Sequence, residues 1–106
     1  MKIAAGILCW NQDETDRAEL FDACYASITE ARPDALVVAD NGSTDGSEKR
    51  LAELPGYVRF EKLAGTPHGN TCGYGMNKLA ATLLTTDADI IVLSNDDIVW
   101  QPDAFD

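Results

Sequence analysis

"DIIVLSNDDIVW", residues 89–100, carries an unbroken apolar run straight into a polar and acidic cluster. Ile90, Ile91, Val92 and Leu93 do not alternate with polar residues, which is the pattern of a parallel strand buried on both faces. Ser94, Asn95, Asp96 and Asp97 follow before apolar character returns at Ile98. Two neighbouring carboxylates at a strand end repel each other unless a cation or hydrogen-bond donors stabilise both.

Upstream, the chain alternates strand and helix patterns. Lys2–Cys9 ("KIAAGILC") and Ala35–Ala39 ("ALVVA") read as two more buried strands, and Tyr57–Lys62 ("YVRFEK") alternates as an edge strand does. Between them, 13–31 is expected to be helical, with Leu20, Cys24, Ile28 and Ala31 as its apolar stripe and Glu14, Asp16, Arg17 and Glu30 facing water. Residues 45–54 form a short helix stopped by Pro55-Gly56, and 74–86 a third helix following the glycine-rich loop 65–75. Gln101–Asp106 has the proline and acids of a helix start.

This order predicts an α/β fold with a mostly parallel, Rossmann-like sheet flanked by helices. With the first strand between the second and fourth, the strand order is 3-2-1-4. In such sheets ligands bind beyond the carboxyl ends of the strands, where the order reverses. Three polar clusters fall at such ends: Cys9-Trp10-Asn11, Asp40-Asn41-Gly42-Ser43 and Asn95-Asp96-Asp97. In this arrangement all three line one crevice, with the Asp40 carboxylate at its mouth.

Composition limits the function. Apolar content is 45% and charged content 25%, as in a chain that folds around a core. Eight Lys and Arg oppose eighteen Asp and Glu, a formal net charge of −10, which disfavours binding to nucleic acid backbones or anionic membranes. Cys9, Cys24 and Cys72 have neither disulfide-framework nor zinc-site spacing, and reduced thiols are expected. No apolar run approaches the ~18 residues that span a bilayer. Met1-Lys2-Ile3 enters a strand too early for a signal peptide, so a cytoplasmic chain without a membrane span is expected.

Each cluster also has a plain structural reading. Asn95-Asp96-Asp97 suits a solvated turn as well as hard-oxygen ligation of Mg²⁺ or Mn²⁺. A turn and a helix cap account for Asn41 to Ser47, leaving Asp40 as the carboxylate suited to a base imide or ribose hydroxyl. Trp10 suits packing under a helix or stacking on a nucleobase. The loop with Gly65, Gly69, Gly73 and Gly75 could approach a diphosphate, with His68 or Asn70 adding contacts. It is neither a P-loop nor a dinucleotide fingerprint.

Together these stretches resemble the inverting family 2 glycosyltransferases of the A-type (GT-A) fold. "LCWN" (8–11) is similar to the end of that family's first strand, and "DNGSTDG" (40–46) to the Asp-Asn-Gly-Ser-x-Asp-Gly at the end of its second. Asn70 to Asn77 is similar to its glycine-rich segment entering a helix. "NDD" (95–97) resembles its Asp-x-Asp metal motif, with Asn in the first place.

The resemblance implies a nucleotide-sugar-binding domain over 1–106, ending after the metal motif. Cys9, Trp10, Asn11, Asp40, Asn41, Ser43, Gly73, Asn77, Asn95 and Asp96 would hold the donor, most often a UDP-sugar. Trp10 would stack on the base, and Asp40 would bind the base or its ribose. Asp97, with Asp96, would hold Mn²⁺ or Mg²⁺. In the family the acceptor site and the carboxylate base follow that motif, so no catalytic residue is assigned and the chain is expected to be inactive alone. The alternative is a non-catalytic nucleotide-sugar-binding module, or a truncated remnant that pairs with another chain or self-associates through an exposed sheet edge. A nucleotidyltransferase would want a basic, glycine-rich first loop, which Cys9-Trp10-Asn11-Gln12 does not supply.

Overall fold

Four parallel strands form one sheet in the computed structural model, which describes residues 1–13, 16–65 and 70–106. The elements in chain order are β1 (Ile3–Cys9), α1 (Ala18–Glu30), β2 (Ala35–Asp40), α2 (Ser47–Leu51), β3 (Tyr57–Arg59), α3 (Cys72–Leu83) and β4 (Ile90–Asn95). The strand order is β3-β2-β1-β4, as the sequence pattern predicts. β1 pairs with β2 from Ala4↔Ala35 to Cys9↔Asp40, and with β4 from Ile3↔Ile90 to Leu8↔Asn95.

Because side chains alternate across a strand, β1 feeds two cores. Ala5, Ile7 and Cys9 join Phe21, Cys24, Ile28 and Leu51 on the face covered by α1 and α2. Ala4 and Leu8 join Leu79 and Leu83 of α3 on the other face. Successive right-handed crossovers place α1 and α2 on one face while the chain moves outward through β2 and β3. α3 then carries it back across the opposite face to β4. The order therefore reverses between β1 and β4.

Several sequence expectations are corrected. β4 is an edge strand among the described residues, with Ile90 40% and Leu93 39% exposed; its neighbour on one side is β1, and no described strand lies on the other. α1 starts at Ala18, and its buried stripe is Phe21, Cys24, Ile28 and Ala31, while Leu20 points to solvent. Asp16, at a positive φ of 56°, is not in helical geometry. β3 ends at Arg59, short of Lys62, and α2 is confined to Ser47–Leu51 after Gly46 at φ 92°. α3 begins earlier than the apolar spacing indicates because Thr71 caps it, its hydroxyl accepting from Tyr74 N–H at 3.1 Å.

Residues 102–105 form turns, since one helical turn repays too little of its nucleation cost. The tail is anchored by Trp100 instead, whose backbone N–H donates to Ser27 Oγ at 2.8 Å and whose Nε1–H donates to Ser94 Oγ at 3.0 Å. No helix among the described residues is long and apolar enough to cross a membrane.

Candidate functional site

At the carboxyl ends of β1 and β4, where the strand order reverses, a cleft of about 350 Å³ opens. β1 contributes Leu8 and Cys9, and the residue after it Trp10; β4 and its following turn contribute Asn95, Asp96 and Asp97. The turn after β2 contributes Asn41, the start of α3 Asn70 and Cys72, and the entry to α1 Arg17. Representatives of all three predicted clusters thus meet in one cavity.

Three of the cleft residues carry a buried polar atom with no partner among the described residues: Trp10 Nε1, Asn41 Oδ1 and Arg17 Nε. Buried polar groups are usually paired, because leaving one unpaired costs about 1–3 kcal/mol. Their concentration along one cavity marks it as a place where a polar ligand would restore lost hydrogen bonds. The Asn41 side chain is fixed there by its Nδ2–H donating to the Thr71 carbonyl at 3.0 Å. Gly75 of α3 lies against it so closely that a Cβ would come within 2.5 Å of Asn41 Nδ2.

Asp40 is bound into the turns at the ends of β1 and β2. Asp40 is wholly buried and does not line the cleft. Its Oδ1 accepts from Ser43 N–H at 2.9 Å and Ser43 Oγ–H at 2.6 Å, and its Oδ2 pairs with Arg59 Nη1 at 3.2 Å. Ser43 Oγ in turn accepts from Asn11 N–H at 3.0 Å, and Asn11 Oδ1 accepts from Thr44 N–H at 2.7 Å. Asn11 sits at φ 40°, a conformation asparagine tolerates better than most residues. These groups bind the β1 and β2 turns together beneath the cleft floor.

The acidic cluster is likewise divided. Asp96 is 3% exposed, and both carboxylate oxygens are engaged: Oδ2 accepts from Gln12 Nε2–H at 3.0 Å, and Oδ1 pairs with Arg17 Nη2. Asp97 has a side chain 40% exposed and lies 3.3 Å from the same guanidinium. Burial works against the Arg17 charge, yet the hydrogen bond to Asp96 and the charges of Asp96 and Asp97 outweigh it and raise the Arg17 pKa. Arg17, assigned to the water-facing side of α1 from sequence, is therefore a cleft residue. No spacing rule reveals it, because its partners lie about eighty positions away in sequence.

No group of three or more His, Cys, Asp or Glu capable of holding a metal is gathered among the described residues. The donors do fit an ion that draws most of its ligands elsewhere. Mg²⁺ commonly takes one or two carboxylates together with substrate phosphates and waters, and the accessible Asp97 can supply one. Gly73 and Asn77 lie on exposed positions of α3 outside the cleft lining. His68 and Gly69 fall outside the described residues.

Comparison with known proteins adds a direction. No family model matches the chain, and no solved structure matches it significantly. The chain is 33% identical over 98 residues to the N-acetylglucosaminyl-diphospho-decaprenol L-rhamnosyltransferase of Mycobacterium tuberculosis strain CDC 1551 / Oshkosh. The same figures hold for the enzyme of that name from strain ATCC 25618 / H37Rv. The chain is similar to a glycosyltransferase. The match covers 83% of this chain and 30% of the relative, so the chain spans less than a third of the length of the enzymes it resembles.

The three thiols differ sharply in setting. Burial, with the nearby charges of Asp96 and Asp40, pushes the Cys9 thiol well up, and burial raises that of Cys24. Cys72 is exposed on the cleft wall. Native protein should therefore titrate one fast thiol with a disulfide reagent at pH 8 and show the other two after unfolding. Two or three fast thiols would mean that the surroundings of Cys9 or Cys24 are open to solvent.

Proposed function

We propose that the cleft is the donor-binding part of a metal-dependent, inverting glycosyltransferase, taking a nucleoside diphosphate sugar, a UDP-sugar foremost. The observation that carries this reading is the meeting of Trp10, Asn41, Asn95 and Asp97 at the sheet's switch point, with unpartnered polar atoms around it. The likeness to a sugar-transfer enzyme supports the same chemistry.

In this reading Trp10 offers a flat face to the base and its Nε1–H to an acceptor on the ligand. Asn41 Oδ1 accepts from a ribose hydroxyl, and Asn95 lies beside the ribose and phosphates. Asp40 and Ser43 act through the loop they brace, without touching the donor. Asp97 would hold Mn²⁺ or Mg²⁺, and the ion when bound would supply Lewis-acid stabilisation of the leaving nucleotide. The cleft residues bind and orient the donor.

Calorimetric titration with UDP, GDP and dTDP, each in Mn²⁺ and in EDTA, tests the reading. Saturable binding that EDTA abolishes is expected, and a chain shown to be folded that binds none of the three would overturn it. Trp10→Ala should weaken nucleotide binding by about tenfold or more, the loss of one base–aromatic stack. Undiminished affinity in that variant would place the base elsewhere.

A further inference from the structure

Arg17 occupies the position in the cleft where the positive charge of a metal would be needed. Its Nη2 reaches carboxylate oxygens of both Asp96 and Asp97, and its Nε is buried without an acceptor among the described residues. The two contacts are unequal. Asp96 cannot follow the guanidinium outward, because Gln12 Nε2–H holds its other oxygen at 3.0 Å, and Gln12 Oε1 is itself held by Arg50 Nη2 at 2.9 Å. Asp97 is on the solvent side, with a longer 3.3 Å contact and a carboxylate 40% exposed. Arg17 thus has a fixed anchor on one side and a releasable contact on the other.

We propose that Arg17 is a resident, displaceable cation that makes divalent-metal binding at Asp97 conditional on the diphosphate. Without nucleotide the guanidinium neutralises Asp97 and competes with an incoming ion for its oxygens. A diphosphate offers the planar guanidinium fork a better partner, with phosphate oxygens for Nη and for the unpartnered Nε. The guanidinium then turns from Asp97 to the phosphates while staying anchored on Asp96, and the released carboxylate takes the metal. Coupling between two ligands is reciprocal, so the metal tightens nucleotide binding by the factor by which nucleotide tightens metal binding. The device suits a strongly acidic chain, in which a bare pair of carboxylates would collect divalent ions without regard to substrate. It rests on reading the cleft as a nucleoside diphosphate site, with Arg17 as one of the groups that bind the diphosphate.

The test separates metal from nucleotide. Mn²⁺ alone is titrated into the full chain, free ion being followed by its electron paramagnetic resonance signal, for wild type, Arg17→Gln and Arg17→Lys. Wild type should bind Mn²⁺ weakly, and Arg17→Gln about tenfold more tightly, within the usual range of coupling between sites. Arg17→Lys keeps the charge and should stay near wild type. UDP in EDTA should bind Arg17→Gln about tenfold more weakly than wild type.

Unchanged or weaker Mn²⁺ binding in a folded Arg17→Gln chain would overturn the proposal, as would an Arg17→Lys chain that gains Mn²⁺ affinity to the same extent. An Arg17 that merely braces Asp96 would shift the melting temperature and leave Mn²⁺ affinity where it was. If Arg17→Gln fails to fold, UDP binding by Arg17→Lys in EDTA decides: loss of the guanidinium fork should weaken it several-fold, and undiminished affinity would overturn the proposal. Tighter Mn²⁺ binding in Arg17→Gln, with no UDP binding by any form, would leave the competition standing and remove the nucleotide reading.

Discussion

Asp97→Ala is expected to bring UDP affinity in Mn²⁺ down to the value measured in EDTA, a loss of about 100-fold, or about 2.7 kcal/mol. The side chain is 40% exposed and its described partner is one releasable contact to Arg17, so the substitution should leave stability within about 0.5 kcal/mol. Asp96→Ala makes the informative contrast. Asp96 is buried between Gln12 and Arg17, and its removal strands two donors and should lower stability by about 2–3 kcal/mol. Calorimetry paired with urea unfolding distinguishes the two carboxylates. Should Asp97→Ala retain Mn²⁺-dependent UDP binding, the ion is held by other groups.

The second large effect is expected far from the cleft, at Gly56→Ala. Gly56 has φ +77°, and a Cβ placed there would overlap the Leu36 carbonyl oxygen on β2. Its own carbonyl accepts from Val38 N–H at 3.0 Å, so the turn is fastened to the sheet immediately before β3 begins. Alanine would meet a left-handed backbone costing about 1–2 kcal/mol and would also force the turn away from β2. A total of about 3 kcal/mol should lower Tm by roughly 10–20 °C for a chain of this size. Gly46→Ala is the control: φ is +92°, but nothing lies within 4 Å of its Cβ position. It should cost only the conformational part, about 1–2 kcal/mol. Equal losses at the two sites would show that close approach to β2 is not what Gly56 provides.

What could be read in the sequence followed from local periodicity. Apolar runs at Ile3–Cys9, Ala35–Ala39 and Ile90–Leu93 separated by helical spacing lead to the parallel sheet, its order and the place where polar strand ends meet. What could not be read depends on pairings between distant residues. Asp40 looks like a cleft carboxylate until Arg59, from the next strand, and Ser43 close over it. Arg17 looks like a surface cation on α1 until β4 brings Asp96 and Asp97 to it. Leu20 and Phe21 are adjacent and both apolar, so helical spacing alone does not choose between them; the start of α1 at Ala18 does. β4 reads as buried because its composition is apolar on both faces, while its burial depends on what lies beside it.

The two tryptophans have different settings, and that makes the protein its own spectroscope. Trp10 lines the cleft with its indole N–H unpaired, so its emission should respond to a ligand stacked on it. Trp100 is fastened through Ser94 and Ser27 and packs against Phe105, 5.5 Å between ring centroids, so its emission should respond to loss of packing. A chain carrying Trp10→Phe isolates the Trp100 signal, and one carrying Trp100→Phe isolates that of Trp10. Binding and stability can then be followed in the same cuvette, without any added label, for every variant described above that keeps Trp10.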